Sequence, residues 1–122
     1  MPTRVLIVED DENVRAMFGL ALRVAGFETS GASNAMEALE RIDTNPPNAV
    51  ILDIGLPIFS GAVVRQELTA HAHTRDIPVI VVTGSQDDFA SLHASCVLRK
   101  PVGPRRLVDA LRECLRTGSE AR

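Results

Sequence analysis

Three uninterrupted apolar runs limit what this chain can become: Val5-Leu6-Ile7-Val8, Ala49-Val50-Ile51-Leu52 and Val79-Ile80-Val81-Val82. Each is short for a helix and too continuous for a strand with one wet face, so each reads as a strand buried on both sides. Their β-branched residues suit extended backbone. Polar chemistry follows each run: Glu9-Asp10-Asp11 after the first, Asp53 after the second, Thr83-Gly84 at the end of the third. A strand covered on both faces delivers its last residue to the rim of a sheet, where an acid is placed for chemistry rather than packing.

Between these runs the apolar spacing turns helical. Val14, Met17, Phe18, Ala21 and Leu22 fall on one face of a first helix, with Asp11 at its N-cap and Gly26 at its stop. Residues 27–30 form a weaker, more polar strand suited to a sheet edge. Asn34-Ala35-Met36-Glu37 has capping-box spacing for a second helix, with Ala35, Met36, Leu39 and Ile42 as its inner face and 45–48 (Asn-Pro-Pro-Asn) as its end. A third helix opens at Gly61 with Val63, Val64 and Leu68 inward, and residues 86–94 hold a short fourth helix at most. Cys96-Val97-Leu98 is a fifth strand ending at Lys100-Pro101, a bond suited to the cis form, and Gly103-Pro104 starts a fifth helix with Val108, Leu111 and Leu115 inward.

Alternating strands and helices mean a parallel sheet wound on both faces. With right-handed crossovers, the expected order for five strands is 2-1-3-4-5, the flavodoxin-like arrangement, with a crevice at the carboxyl ends of strands one and three. Flavodoxin-like folds are among the cases from which that crevice rule was drawn. The expectation is thus a single α/β domain over residues 1–122, with five helices, a shortened fourth helix and a frayed tail at 117–122; 122 residues suffice for one core.

A net charge of −3 and the lack of a basic stripe argue against nucleic acid, and no run has the length of a membrane span. Strand-like sequence begins almost at once after Met1, which leaves no room for a leader. Cys96 and Cys114 have neither metal-ligand nor disulfide-framework spacing and read as buried reduced thiols, which points to the cytoplasm.

The topology brings Glu9, Asp10 and Asp53 to one crevice, flanked by Thr83 and Lys100. Two unit charges about 4 Å apart interact by roughly 4 kcal/mol at an effective dielectric of about 20, so a crevice that keeps three carboxylates ionised calls for a cation. Oxygen ligands without histidine or cysteine favour a hard ion, Mg²⁺ (or Mn²⁺). With the repulsion cancelled, Asp53 can attack phosphorus as a carboxylate nucleophile. Lys100 then supplies positive charge to the transferred group, Thr83 a hydroxyl and Gly84 an unhindered N–H.

Val-Glu-Asp-Asp at 8–11, Leu-Asp-Ile-Gly-Leu-Pro at 52–57, Thr-Gly at 83–84 and Lys-Pro at 100–101 together resemble the signature set of response regulator receiver domains, in the family's order over nearly the whole chain. The resemblance implies that Asp53 accepts a phosphoryl group from the phosphohistidine of a histidine kinase or a histidine phosphotransfer protein. It implies Mg²⁺ ligation by Asp10, Asp53 and the Gly55 carbonyl, with Glu9 acting through water, and phosphoryl contacts from Thr83 and Lys100. It further implies a protein that modifies only itself, with no external turnover, and a downstream protein docked on the fourth helix, fifth strand and fifth helix. No output domain is expected in this chain, which reads as a stand-alone regulator, a relay intermediate or a portion of a hybrid kinase.

Taken singly, these residues have plainer readings: Asp10 and Asp11 as helix caps, Thr83 as a strand-end hydroxyl, Lys100 as a solvated lysine. Their coincidence at one rim is what favours the site. His71, His73 and His93 read as surface residues. Two departures from the family stand out. Val97 occupies the position three before Lys100 that is usually aromatic in receivers, and the 83–100 interval is short. Both fall on the docking face, which keeps open an alternative: a receiver-shaped interaction module without phosphate-dependent switching. An aspartyl-nucleophile phosphohydrolase of the haloacid dehalogenase type needs a second Asp two positions after Asp53, where Gly55 stands.

Overall fold

The computed structural model describes residues 2–53, 64, 66, 70, 74, 76–84 and 96–120. In chain order the elements are β1 (Arg4–Val8), α1 (Glu12–Val24), β2 (Glu28–Ala32), α2 (Ala35–Thr44), β3 (Ala49–Asp53), β4 (Val79–Thr83), β5 (Cys96–Arg99) and α3 (Pro104–Glu120). The five strands form one parallel sheet in the order β2-β1-β3-β4-β5, as the alternation demands.

Side-chain parity along the central strands builds two cores. Val5 and Ile7 of β1, Ile51 of β3 and Ile80 and Val82 of β4 face one side, against Phe18 and Leu22 of α1 and Leu107, Leu111 and Cys114 of α3. Leu6 and Val8, Val50 and Leu52, and Val79 and Val81 face the other, against Ala35, Ala38 and Ile42 of α2 and against Val64. All five residues of β3 and of β4 are buried, which accounts for the unbroken apolar runs.

The caps are those the sequence indicates. Asp11 accepts from the Asn13 and Val14 amides at 2.9 and 3.1 Å. At the other end of α1, Gly26 adopts φ 100°, and the Gly26 and Phe27 amides donate to the Arg23 and Leu22 carbonyls at 3.0 and 2.9 Å. That pair of bonds is a Schellman motif, and it takes Phe27 out of the strand, so β2 begins at Glu28. Asn34 caps α2, but Glu37 reaches back to the Ser33 amide (3.3 Å) rather than to that of Asn34.

Several inner faces differ from the apolar stripes. Met17 and Met36 are exposed, at 38% and 63%, while Ala38 is fully buried. Small residues let α2 lie close to the sheet, and a long flexible Met is left at the margin. In α3 the buried positions are Leu107, Leu111 and Cys114, with Val108 and Leu115 only half-buried. Helical backbone continues through Glu120, past the expected fraying point at Thr117; a lone glycine at 118 weakens a helix without removing an amide donor. Of the third expected helix, Val64, Gln66 and Ala70 are described and helical. The fourth helix, its shortening, Gly55, the three histidines and the Cys96 side chain lie outside the described residues. No helix among the described residues is long and apolar enough to cross a membrane.

Candidate functional site

Parallel strands place their carboxyl ends at one rim, and four of them deliver the candidate residues there. Glu9 and Asp10 follow β1, Asp53 ends β3, Thr83 ends β4 and Lys100 follows β5. One carboxylate oxygen from each of Glu9, Asp10 and Asp53 lies within 4.8 Å of the others. The Lys100 Nζ stands 3.5 Å from Glu9 Oε1 and 3.5 Å from Asp53 Oδ2. Its backbone N–H donates to the Thr83 carbonyl at 2.7 Å, tying the ends of β4 and β5 together, and the Lys100–Pro101 bond is cis. Gly84 lies beside this lysine: a Cβ there would sit 3.9 Å from Lys100 Cδ.

Burial divides the cluster. Glu9, Asp53 and Thr83 are 1%, 5% and 1% exposed, whereas Asp10 and Lys100 open to solvent. Glu9 is held at several points. Its N–H donates to Ala32 O at 3.0 Å, its carbonyl accepts from Arg15 Nη1 at 2.8 Å, and its Oε2 accepts from the Asp11 amide at 3.2 Å. Asp11 is therefore both helix cap and, through its backbone, a support for Glu9. Sequence reasoning does not find the Arg15 contact, since an arginine in the first turns of a helix looks like any solvated one.

Burial, ahead of the neighbouring Asp53 and Asp10 carboxyls and against the pull of the Asp11 amide, pushes the Glu9 carboxyl up to about 7. The neighbouring Glu9 carboxyl, before all else, holds Asp10 below its ordinary value. Burial is the largest single influence on Lys100 and opposes its charge, but Asp53 and Glu9 together outweigh it and raise its pKa.

The donor set fits a hard divalent cation. Glu9 Oε1 is buried without a hydrogen-bond partner, and it faces two further carboxylates. A buried carboxylate oxygen without a hydrogen bond is costly, and the partly exposed Lys100 ammonium at 3.5 Å, which Asp53 shares, leaves room for a proton or a second cation among the three acids. Asp10 and Asp53 would hold the ion, with Glu9 beside them. Every sequence-indicated side chain of the site is thus brought to one rim; Gly55 is not among the described residues. Val97 lies on β5 opposite Val81 and is 41% exposed.

A family model described as the response regulator receiver domain matches residues 5–112. The chain is 38% identical over 118 residues to the transcriptional regulatory protein PrrA of Mycobacterium tuberculosis, covering 93% of this chain and 50% of PrrA. It is 31% identical over 120 residues to the polar-differentiation response regulator DivK of Brucella anthropi, covering 94% of this chain and 98% of DivK. A crystal structure of a putative response regulator from Chloroflexus aurantiacus superposes with a TM-score of 0.87 at 34% identity, covering 95% of this chain and 99% of the other. The chain therefore spans about half the length of a transcriptional regulator such as PrrA and nearly all of DivK.

Proposed function

We propose, given that this chain belongs to the response regulator receiver domain family of two-component systems, that Asp53 is the phosphoacceptor. The donor is a phosphohistidine on a histidine kinase or a histidine phosphotransfer protein. An Asp53 carboxylate oxygen attacks phosphorus; the new P–O bond forms as the P–N bond breaks, and the imidazole nitrogen leaves with the bonding pair and is protonated. Asp10 and Asp53 would hold a Mg²⁺ (or Mn²⁺), which when bound would offset the negative charge of the carboxylates and the incoming phosphoryl group. Lys100 meets one of those oxygens with its ammonium, and the Thr83 hydroxyl donates to another. Glu9 would stand beside that ion and add negative charge to its site. No external substrate is turned over, and the cytoplasm is the compartment in which such a donor is met.

The observation that carries this reading is the position of the Lys100 ammonium, 3.5 Å from both Glu9 and Asp53 carboxylates. A cation so placed can move from carboxylate to phosphoryl oxygen with a side-chain rotation. The test is incubation with a small acyl-phosphate donor and Mg²⁺, followed by intact mass measurement. A gain of one phosphoryl group, lost with chelator and in Asp53→Asn, is expected; no gain, or an undiminished gain in Asp53→Asn, rejects the site.

Val97 favours a second reading. A half-exposed valine replaces the aromatic that would swing inward on phosphorylation, and the next residue of β5, Leu98, lines a groove of about 660 Å³ with Arg105, Arg106, Asp109, Ala110 and Glu113 of α3. In this reading a downstream protein docks on β5 and α3 without regard to phosphate, and the interaction is unchanged by Asp53→Ala.

A further inference from the structure

Arg15 lies outside the rim, yet one of its bonds ends there. Its Nη1 donates at 2.8 Å to the carbonyl of Glu9, the residue whose buried carboxylate oxygen Oε1 has no hydrogen bond. Glu9 follows the last residue of β1, and its N–H is already fixed by β2 through Ala32. The Arg15 bond fixes the other side of the same residue. With both backbone groups held, the peptide leading into Asp10 has little freedom, and the Glu9 and Asp10 carboxylates keep their bearing on Asp53.

A second residue is shaped to this arrangement. Gly31, inside β2, pairs with Ile7 and has no positive φ, so its lack of a side chain is about space. A Cβ there would lie 3.1 Å from Arg15 Cδ, 3.5 Å from Nε and 3.6 Å from Cγ. The arginine stem crosses the sheet edge in the gap that glycine leaves. The obstructed atoms are mid-chain, so displacing them moves the guanidinium that follows.

We infer that Arg15, passing over Gly31, is a positioning residue for the metal site: its bond to the Glu9 carbonyl sets the geometry in which Glu9 and Asp10 meet the cation. This rests on the reading of the site as a divalent-cation centre. Charge and position act with opposite signs here, which makes the inference decidable. Removing a positive charge near three carboxylates tightens cation binding by Coulomb attraction alone. Removing a support that orients the carboxylates weakens it, by about tenfold when outer-shell partners of metal ligands are lost.

The experiment is calorimetric titration of Mg²⁺ into wild type, Arg15→Met, Arg15→Lys and Gly31→Ala, with thermal melts of each metal-free protein. Arg15→Met keeps most of the apolar stem and loses the donors; it is expected to bind Mg²⁺ about tenfold more weakly. Arg15→Lys, with a donor restored, recovers part of that loss. Gly31→Ala weakens binding in the same direction with the arginine still present. Mg²⁺ binding by Arg15→Met that equals or exceeds wild type overturns the inference, even if its melting temperature falls, since that outcome leaves Arg15 a structural role only. A wild type that does not bind Mg²⁺ overturns the cation-site reading itself, and the inference with it.

Discussion

Replacing Glu9 by glutamine should stabilise the metal-free protein at alkaline pH. The Glu9 carboxyl has an ordinary value of 4.5 and is pushed to about 7 in the fold by burial beside Asp53 and Asp10. Between these values the native state binds more protons than the unfolded chain, so stability falls as pH rises. The contribution is fully present below about pH 4.5 and is lost as pH passes through 7. A gap of roughly 2.5 units at about 1.36 kcal/mol each amounts to about 3 kcal/mol. Glutamine keeps the shape, still accepts from the Asp11 amide, and offers N–H donors where the protonated acid offered O–H. Glu9→Gln should therefore exceed wild type by up to about 3 kcal/mol at pH 8.5, or roughly 10 °C in melting temperature, and match it near pH 4.5. The assay is urea unfolding followed by circular dichroism across pH 4.5 to 8.5, with chelator present. Saturating Mg²⁺ should narrow the difference at high pH, since the cation stabilises an ionised Glu9. A metal-free wild type whose stability is flat or rises over this range, or a glutamine variant weaker at pH 8.5, would refute the argument that burial of this carboxyl outweighs the Asp11 amide and the Lys100 ammonium beside it.

Lys100→Met should separate cation binding from phosphoryl acceptance. It removes an ammonium 3.5 Å from two carboxylates, so Mg²⁺ binding tightens about tenfold, below the bare Coulomb figure because the side chain is 37% exposed, while the rate of phosphoryl gain falls; titration calorimetry and intact mass measure the two effects. Gly26→Ala should cost about 1–2 kcal/mol in urea unfolding, because φ 100° is a conformation that a Cβ strains, and should leave Mg²⁺ binding unchanged.

The architecture was legible because the central strands are buried on both faces. Residues such as Ile51 and Val81 must be apolar whichever core they enter, so the runs mark β3 and β4 almost to the residue. The rim was legible for a related reason: a parallel sheet sends every carboxyl end one way, so Glu9, Asp53, Thr83 and Lys100 had to meet. Helix faces were less legible. Hydrophobicity ranks Met36 above Ala38, but close packing against the sheet prefers the smaller residue. The Arg15–Glu9 contact could not be read at all, since it depends on where a long side chain crosses a neighbouring strand and on the space at Gly31.

The most direct test of the account asks where the phosphoryl group goes. Protein treated with an acyl-phosphate donor and Mg²⁺ is reduced with borohydride, which converts an acylated aspartate to homoserine, and then mapped by peptide mass spectrometry. Homoserine at position 53 alone is the predicted outcome. Homoserine at position 10, or a stable phosphate on a histidine with position 53 unmodified, would contradict it.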